Sequence, residues 1–156
     1  MKIVSVIKIF NLIILLILLT TSKLYCKDNK YFLTLRNNEV NVRLGPAFEY
    51  PVKFVYKKKY LPLMIIEKSE VWRKVKDLEF NTGWIHISKL SKKKAAIITI
   101  ERSRLFKKPT FYSRPLATLA KGRLVIIKKC KKKWCKIKTD KYVGWSLKKN
   151  LWGNLY

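Results

Sequence analysis

A chain of 156 residues with 36 Lys and Arg against 9 Asp and Glu, net charge +27, has room for one ordinary domain or two very small ones. That imbalance favours anionic partners and penalises cationic ones, within a screening length of about 8–10 Å at physiological salt. Because 29 of the cations are Lys and only 7 are Arg, the charge speaks for general electrostatics rather than for bidentate reading of phosphate or carboxylate.

Lys2 and Lys8 come first, followed by an apolar run at 12–19 that Ile9 and Phe10 extend backwards, and then by Thr20, Thr21 and Ser22. Charge, roughly ten apolar residues and small polar residues, in that order, predict a secretory signal peptide. The run is short for a spanning helix, which needs about 20 such residues. Residues 1–26 are therefore expected to be a signal peptide cleaved after Ser22 or Cys26, and the alternative is an uncleaved N-terminal anchor in the inner membrane. Lys23, Leu24 and Tyr25 lack the small residue wanted beside a lipidated Cys26. The expected location is exported, periplasmic or secreted. Without this segment the charge is +24, and it is uneven: residues 27–90 carry 13 basic and 7 acidic residues, residues 91–156 carry 20 and 2.

Residues 27–35 read as a short exposed leader ending in the apolar Tyr31, Phe32 and Leu33. Val40 to Arg43 then alternates as a strand, Gly45-Pro46 breaks it, and further strands follow at 51–56, 61–67, 71–76 and 83–87. The same course resumes with strands at 97–104, 115–119, 124–130, 134–138 and 142–147, separated by Lys-, Gly- and Pro-bearing turns. Short alternating runs every 8–12 residues or so predict an all-β sandwich or barrel, and no window sustains a helical period.

The two courses are copies. Residues 72–90 read WRKVKDLEFNTGWIHISKL and residues 134–151 read WCKIKTDKYVGWSLKKNL. Each holds W-x-K-[VI]-K, then Gly83-Trp84 or Gly144-Trp145, then a Leu six residues on, so one module of about 55 residues is used twice. The expected domains are 36–91 and 95–154, joined by a Lys-rich linker short enough to hold them close. Modules this small are marginal alone, and Trp72 and Trp134 are expected to answer that by packing. Trp84 and Trp145 each follow a Gly, which fits close backbone approach, and are the expected rings of a partly exposed groove.

With Cys26 at the cleavage site, Cys130 and Cys135 remain, flanking a four-residue segment that suits a tight hairpin. An even count in an exported chain predicts a disulfide between them. Two free thiols on neighbouring strands are the alternative.

Val40-Asn41-Val42-Arg43-Leu44-Gly45-Pro46, then Tyr50-Pro51-Val52, an apolar strand, W-x-K-V and Gly-Trp-Ile resemble in order the signature of bacterial Src-homology-3-like (SH3b-type) domains. Leu44 and Ala47 depart from the usual small polar residue and Ser, and 105–109 in the second copy lacks the Gly-Pro. The likeness covers about 120 of the 156 residues. It implies a tandem pair of small, five-stranded, partly open β-barrels in an exported envelope protein. Such domains often bind cell-wall peptides or glycans and often accompany wall hydrolases.

No enzyme constellation is visible. His86 is the only His, no Cys or Ser near it carries a nucleophile signature, and zinc would want four Cys or His ligands at set spacings. The carboxylates are scattered, with Glu67, Glu70, Asp77 and Glu79 in turns and Glu49 in a loop, unlike the facing pair of a glycosidase. The five glycines stand apart, so no phosphate loop is present. No metal or cofactor is expected. Aromatics interleaved with Lys offer stacking platforms rimmed by cations, the best candidates being Tyr50, Trp84, Tyr112 and Trp145 with Lys131, Lys132 and Lys133. The same mixture describes single-stranded nucleic-acid binders, but an exported chain rarely meets its own nucleic acid. The expected partner is peptidoglycan or another anionic envelope polymer. An envelope or secreted protein, with the chain as interaction scaffold, is the alternative. The second copy, with most of the charge, is where the anion is expected.

Overall fold

The computed structural model describes residues 30–155, so the expected signal peptide, its cleavage site and the anchor alternative lie outside the described residues. Within them the chain is all-β. The first copy holds β1 (Tyr31–Leu35), β2 (Val40–Arg43), β3 (Val52–Tyr56), β4 (Pro62–Ser69), β5 (Trp72–Lys76), β6 (Thr82–His86) and β7 (Leu90–Ser91). The second holds β8 (Ala95–Ile98), β9 (Arg102–Phe106), β10 (Pro115–Ala120), β11 (Leu124–Lys131), β12 (Trp134–Lys138), β13 (Val143–Leu147) and β14 (Leu151–Gly153). The sheets run β3-β2-β6-β5-β4-β1-β7 and β10-β9-β13-β12-β11-β8-β14. The second order is the first shifted by seven strands, so the repeat in sequence is a repeat in topology. Each is an SH3-like fold whose sheet coils without closing. Equivalent bulges in β4, between Ile65 and Glu67, and in β11, between Ile127 and Lys129, add the local twist that lets a long strand serve both halves of the sheet.

Alternation builds the two cores. Leu63, Ile65, Val75 and Ile85 point inward in the first copy with Val40 and Val42, and Val125, Ile127, Ile137 and Leu105 do so in the second. The second core is the less apolar. Ser103 and Ser146 stand where the first copy has Val40 and Ile85, with their hydroxyl oxygens 3.0 Å apart. The Asn150 amide donates to Ser103 Oγ at 3.3 Å, so these buried groups satisfy one another.

Two expectations are corrected. Residues 31–35 are not an exposed leader: they form β1, paired with β4 and β7, with Leu33 and Leu35 in the core. The single strand expected at 97–104 is two, because the chain bends at 99–101 so that β8 can join β11 while β9 joins β10. Both misreadings concern the first strand of a copy. They raise the expected five strands to six in each copy, and the short β7 and β14 bring each sheet to seven hydrogen-bonded segments.

The copies pack on one another. Ala95 and Ile97 point away from the second core yet are buried, because β8 and β14 lie against β4. Phe32 meets Trp152 edge-on at 5.0 Å, and the Asn154 amide donates to the Phe32 carbonyl at 3.3 Å. Thr34 is fully buried, and its hydroxyl lies 3.2 Å from the Ser91 carbonyl and 3.1 Å from that of Lys93. The short linker is therefore fastened to the first sheet.

Candidate aromatic grooves

The face of each sheet turned away from its core carries the candidate site. In the first copy Trp72 is paired with His86, and Trp84 lies between Lys74 and Arg43 in register. These alternate with the core residues Val75, Ile85 and Val42. Gly83 makes the arrangement possible: a Cβ there would collide with the Val42 side chain and lie 3.0 Å from the Arg43 carbonyl oxygen. The loop between β2 and β3 folds back over this face and lays Phe48 against it. The Phe48 ring is 5.0 Å from Trp72 and 5.5 Å from His86, and Trp72 and His86 are 5.3 Å apart. The Arg43 guanidinium sits 5.7 Å from the Phe48 ring centre and donates to the Tyr50 carbonyl at 2.7 Å. His86 Nδ1 accepts from the Ser88 amide at 3.3 Å and lies 2.7 Å from its hydroxyl, which orients the imidazole. The resulting groove of 190 Å³ is also lined by Glu39, Asn41 and Lys89.

The second copy rebuilds this cluster with different chemistry. Phe111, on the loop between β9 and β10, is 5.1 Å from Trp134, and Phe106, at the position of Arg43, is 5.5 Å from Trp134 at 90°. The groove is larger, 610 Å³, with Leu147 in place of His86 and a rim of Lys132, Lys133, Lys148 and Lys149. Lys132 adopts a left-handed turn, φ 48°, as Glu70 does at the same place in the first copy, φ 43°. Immediately before that turn Cys130 and Cys135 form a disulfide between directly opposed residues of β11 and β12, so the expected pairing is present.

Among the residues expected to bind, Trp84 and Trp145 are corrected: they are 7% and 9% exposed and offer no open ring. Lysines of the same sheet reach over them, Lys74 from the adjacent strand and Lys129 from β11, two strands from Trp145. The Lys74 ammonium lies 5.7 Å from the Trp84 ring and that of Lys129 lies 6.0 Å from Trp145, with their aliphatic stems along the apolar surface. Trp72 and Trp134 pack as expected, Trp72 buried and Trp134 half-buried, but they do so on the groove face, outside the main core clusters, under Phe48 and Phe111. Tyr50 is half exposed, with its ring against Gly45. Tyr112 is fully exposed in the β9–β10 loop. Lys132 and Lys133 line the second groove, whereas Lys131 is exposed opposite Trp134 in register. Sequence reasoning missed Phe48, Phe106, Phe111, Lys148 and Lys149. One signal was available for two of them, since Phe48 and Phe111 precede their groove Trp by 24 and 23 residues.

Among the described residues no three His, Cys, Asp or Glu side chains gather as metal ligands, and no helix is long and apolar enough to cross a membrane. The sequence profile of the bacterial SH3 domain matches residues 36–92 and again 101–153. No curated protein sequence matches the chain. Among solved structures it is similar to NlpC2 of Trichomonas vaginalis, at 13% identity and TM-score 0.36, over 80% of this chain and 48% of that one. It is also similar to an NlpC/P60 family protein of Bacillus cereus, at 9% identity and TM-score 0.34, over 79% and 57%. The chain spans about half the length of these structures.

Proposed function

The chain belongs to the bacterial SH3 domain family, and from that premise we propose that it is an exported, non-enzymatic module that binds the cell wall or another anionic envelope polymer. Domains of this family suggest wall binding as the coarse role. The observation that carries it to this chain is the duplicated cluster: Phe48 on Trp72 and Phe111 on Trp134, each brought by a loop onto the same sheet position. The exposed loop rings Phe48 and Phe111, backed by the buried Trp72 and the half-buried Trp134, suit stacking against sugar or peptide, and neighbouring Lys supply charge. Tyr50 and Tyr112 stand on the same loops, beside the grooves rather than lining them. The non-enzymatic part of the reading rests on the general use of bacterial SH3 domains as binding modules.

The test is sedimentation of the protein with purified peptidoglycan sacculi across a salt series. Wild type is expected to sediment at low salt, and the double variant Phe48→Ala/Phe111→Ala to stay in solution. Failure of wild type to sediment at any salt overturns the proposal. A protein partner is the second reading, favoured by the full exposure of Tyr112; it predicts a crosslinked partner whose capture does not depend on salt.

A further inference from the structure

Superposing the strand order of the copies turns the groove rim into a comparison within one molecule. Lys132, Lys133, Lys148 and Lys149 of the second copy stand at the positions of Glu70, Val71, Ile87 and Ser88 in the first. None of the four counterparts is a cation, and one is an acid. Inside the groove the change runs the other way, since the cation Arg43 gives way to Phe106 and the polar His86 to Leu147. Charge has moved from floor to rim, leaving an apolar floor of Trp134 and Leu147 with the buried Phe106 packed behind Trp134. The disulfide follows the same pattern: Cys130 and Cys135 replace Lys68 and Arg73 and tie together the hairpin that presents Lys132 and Lys133.

We infer that the second groove is a subsite for an acidic saccharide, a pyranose chain bearing carboxylates, and that the first groove does not share this preference. The inference rests on the envelope-binding reading above and names the ligand class of one of its two sites. A pyranose ring has an apolar C–H face that suits the Phe111–Trp134 pair, while its carboxylates project outward to the rim. Lys suits that rim because each ammonium is a compact point charge on a flexible stem, able to follow carboxylates spaced along a chain. The groove's 610 Å³ accommodates more than a single sugar ring, whereas the first groove, at 190 Å³ with Glu39 in its wall, does not.

The test is calorimetric titration of the full chain with an oligogalacturonate of eight sugars, beside a neutral maltooligosaccharide, an oligoglutamate and single-stranded DNA of similar length. Oligogalacturonate is expected to bind best. Replacing three charge-assisted contacts in Lys132→Gln/Lys133→Gln/Lys149→Gln is expected to weaken it at least about 10-fold. Lys57→Gln/Lys58→Gln/Lys59→Gln removes equal charge from an exposed turn of the first copy and is expected to weaken it less than about 2-fold, because distant surface charges are screened. Phe111→Ala, at an exposed ring, is expected to weaken oligogalacturonate and to leave oligoglutamate unchanged. Equal losses in the two Lys triples overturn the inference, as does DNA or oligoglutamate binding as tightly as the saccharide, or no binding at all. Protein that sediments with sacculi yet ignores oligogalacturonate sinks this inference alone. Binding to oligogalacturonate without sedimentation supports it while removing the wall reading.

Discussion

Gly144→Ala tests the account of the groove at its base. A Cβ on residue 144 would lie 2.7 Å from Leu105 Cγ, 2.8 Å from the Phe106 carbonyl oxygen and 3.1 Å from Leu105 Cδ1. Comfortable carbon contacts begin near 3.5 Å, so β13 and β9 must separate by roughly half an ångström or more. Leu105 is fully buried and cannot swing into solvent, and the carbonyl belongs to the backbone. Overpacking of this kind costs about 1–3 kcal/mol. Ala recovers about 0.5–1 kcal/mol over Gly within a strand, leaving a net loss of about 0–2.5 kcal/mol, centred near 1. The damage is also local to function, because Trp145 and Phe106 are register partners and Phe106 supports Trp134.

Urea unfolding followed by Trp fluorescence measures the stability, and near-ultraviolet circular dichroism reads the edge-on packing of Phe106 and Trp134. Gly122→Ala is the companion variant. Its φ of +78° disfavours a side chain while nothing lies within 4 Å of the added carbon. It is expected to cost about 1–2 kcal/mol through the left-handed backbone alone and to leave the aromatic signal intact. A Gly144→Ala protein with wild-type stability and an unchanged aromatic signal would refute the reasoning.

Cys130→Ala/Cys135→Ala, or reduction of the wild type, opens a loop with a sequence separation of 5, worth about 2 kcal/mol on the chain-entropy account. A fall in melting temperature of about 5–10 °C is expected for a chain of this size, and identical melts with and without reductant would contradict it. Tyr56 donates to Asp77 Oδ2 at 2.9 Å, and burial, followed by the charge of Asp77, pushes its phenol well above the ordinary tyrosine range. The folded state therefore keeps a proton that the unfolded state loses above about pH 10, so stability should fall as pH rises through that value. Ultraviolet titration should show Tyr56 ionising after the other tyrosines, and Tyr56→Phe should flatten the alkaline loss. A Tyr56 that titrates with the rest would dispose of this account.

What the sequence revealed and what it hid have one physical origin. Strands with one face in the core and one in water, such as Val40–Arg43 and Trp72–Lys76, announce themselves by alternation, and the structure has them where that alternation falls. β1 and β8 do not alternate. Leu33, Thr34 and Leu35 are all buried, as are all four residues of β8, because their second faces meet the other copy or the linker. A strand covered on both sides loses its period of two, which makes 31–35 look like a leader and 97–104 like one strand. The Gly-Trp pairs were legible as close backbone approach, while the covering of their rings was not. Lys74 reaches Trp84 from the adjacent strand and Lys129 reaches Trp145 from two strands away, and only the sheet order and register bring them together. Phe48 and Phe111 were the hardest to see, since loops carry no periodicity. Their nearly equal offsets from Trp72 and Trp134, 24 and 23 residues, become meaningful once the copies are aligned from β1 and β8 onward.

The junction between the copies bears on how such a module would grip a polymer. Ser91 ends a strand of the first sheet, Lys93 is held by Thr34, and β8 begins at Ala95, so hardly a residue between the sheets is free to act as a hinge. Phe32 on Trp152 and Asn154 on Phe32 close the junction from the far end of the second copy. Two weak sites on a fixed frame act as one strong site only for a ligand whose repeat matches their spacing, because a rigid connection cannot adjust to the others. A flexible linker would instead reward any polymer long enough to span the sites. If both grooves bind as proposed above, unequal grooves on a rigid junction would select twice, by chemistry at each groove and by the distance between them. They would then favour an extended, regular chain over a compact or irregular partner.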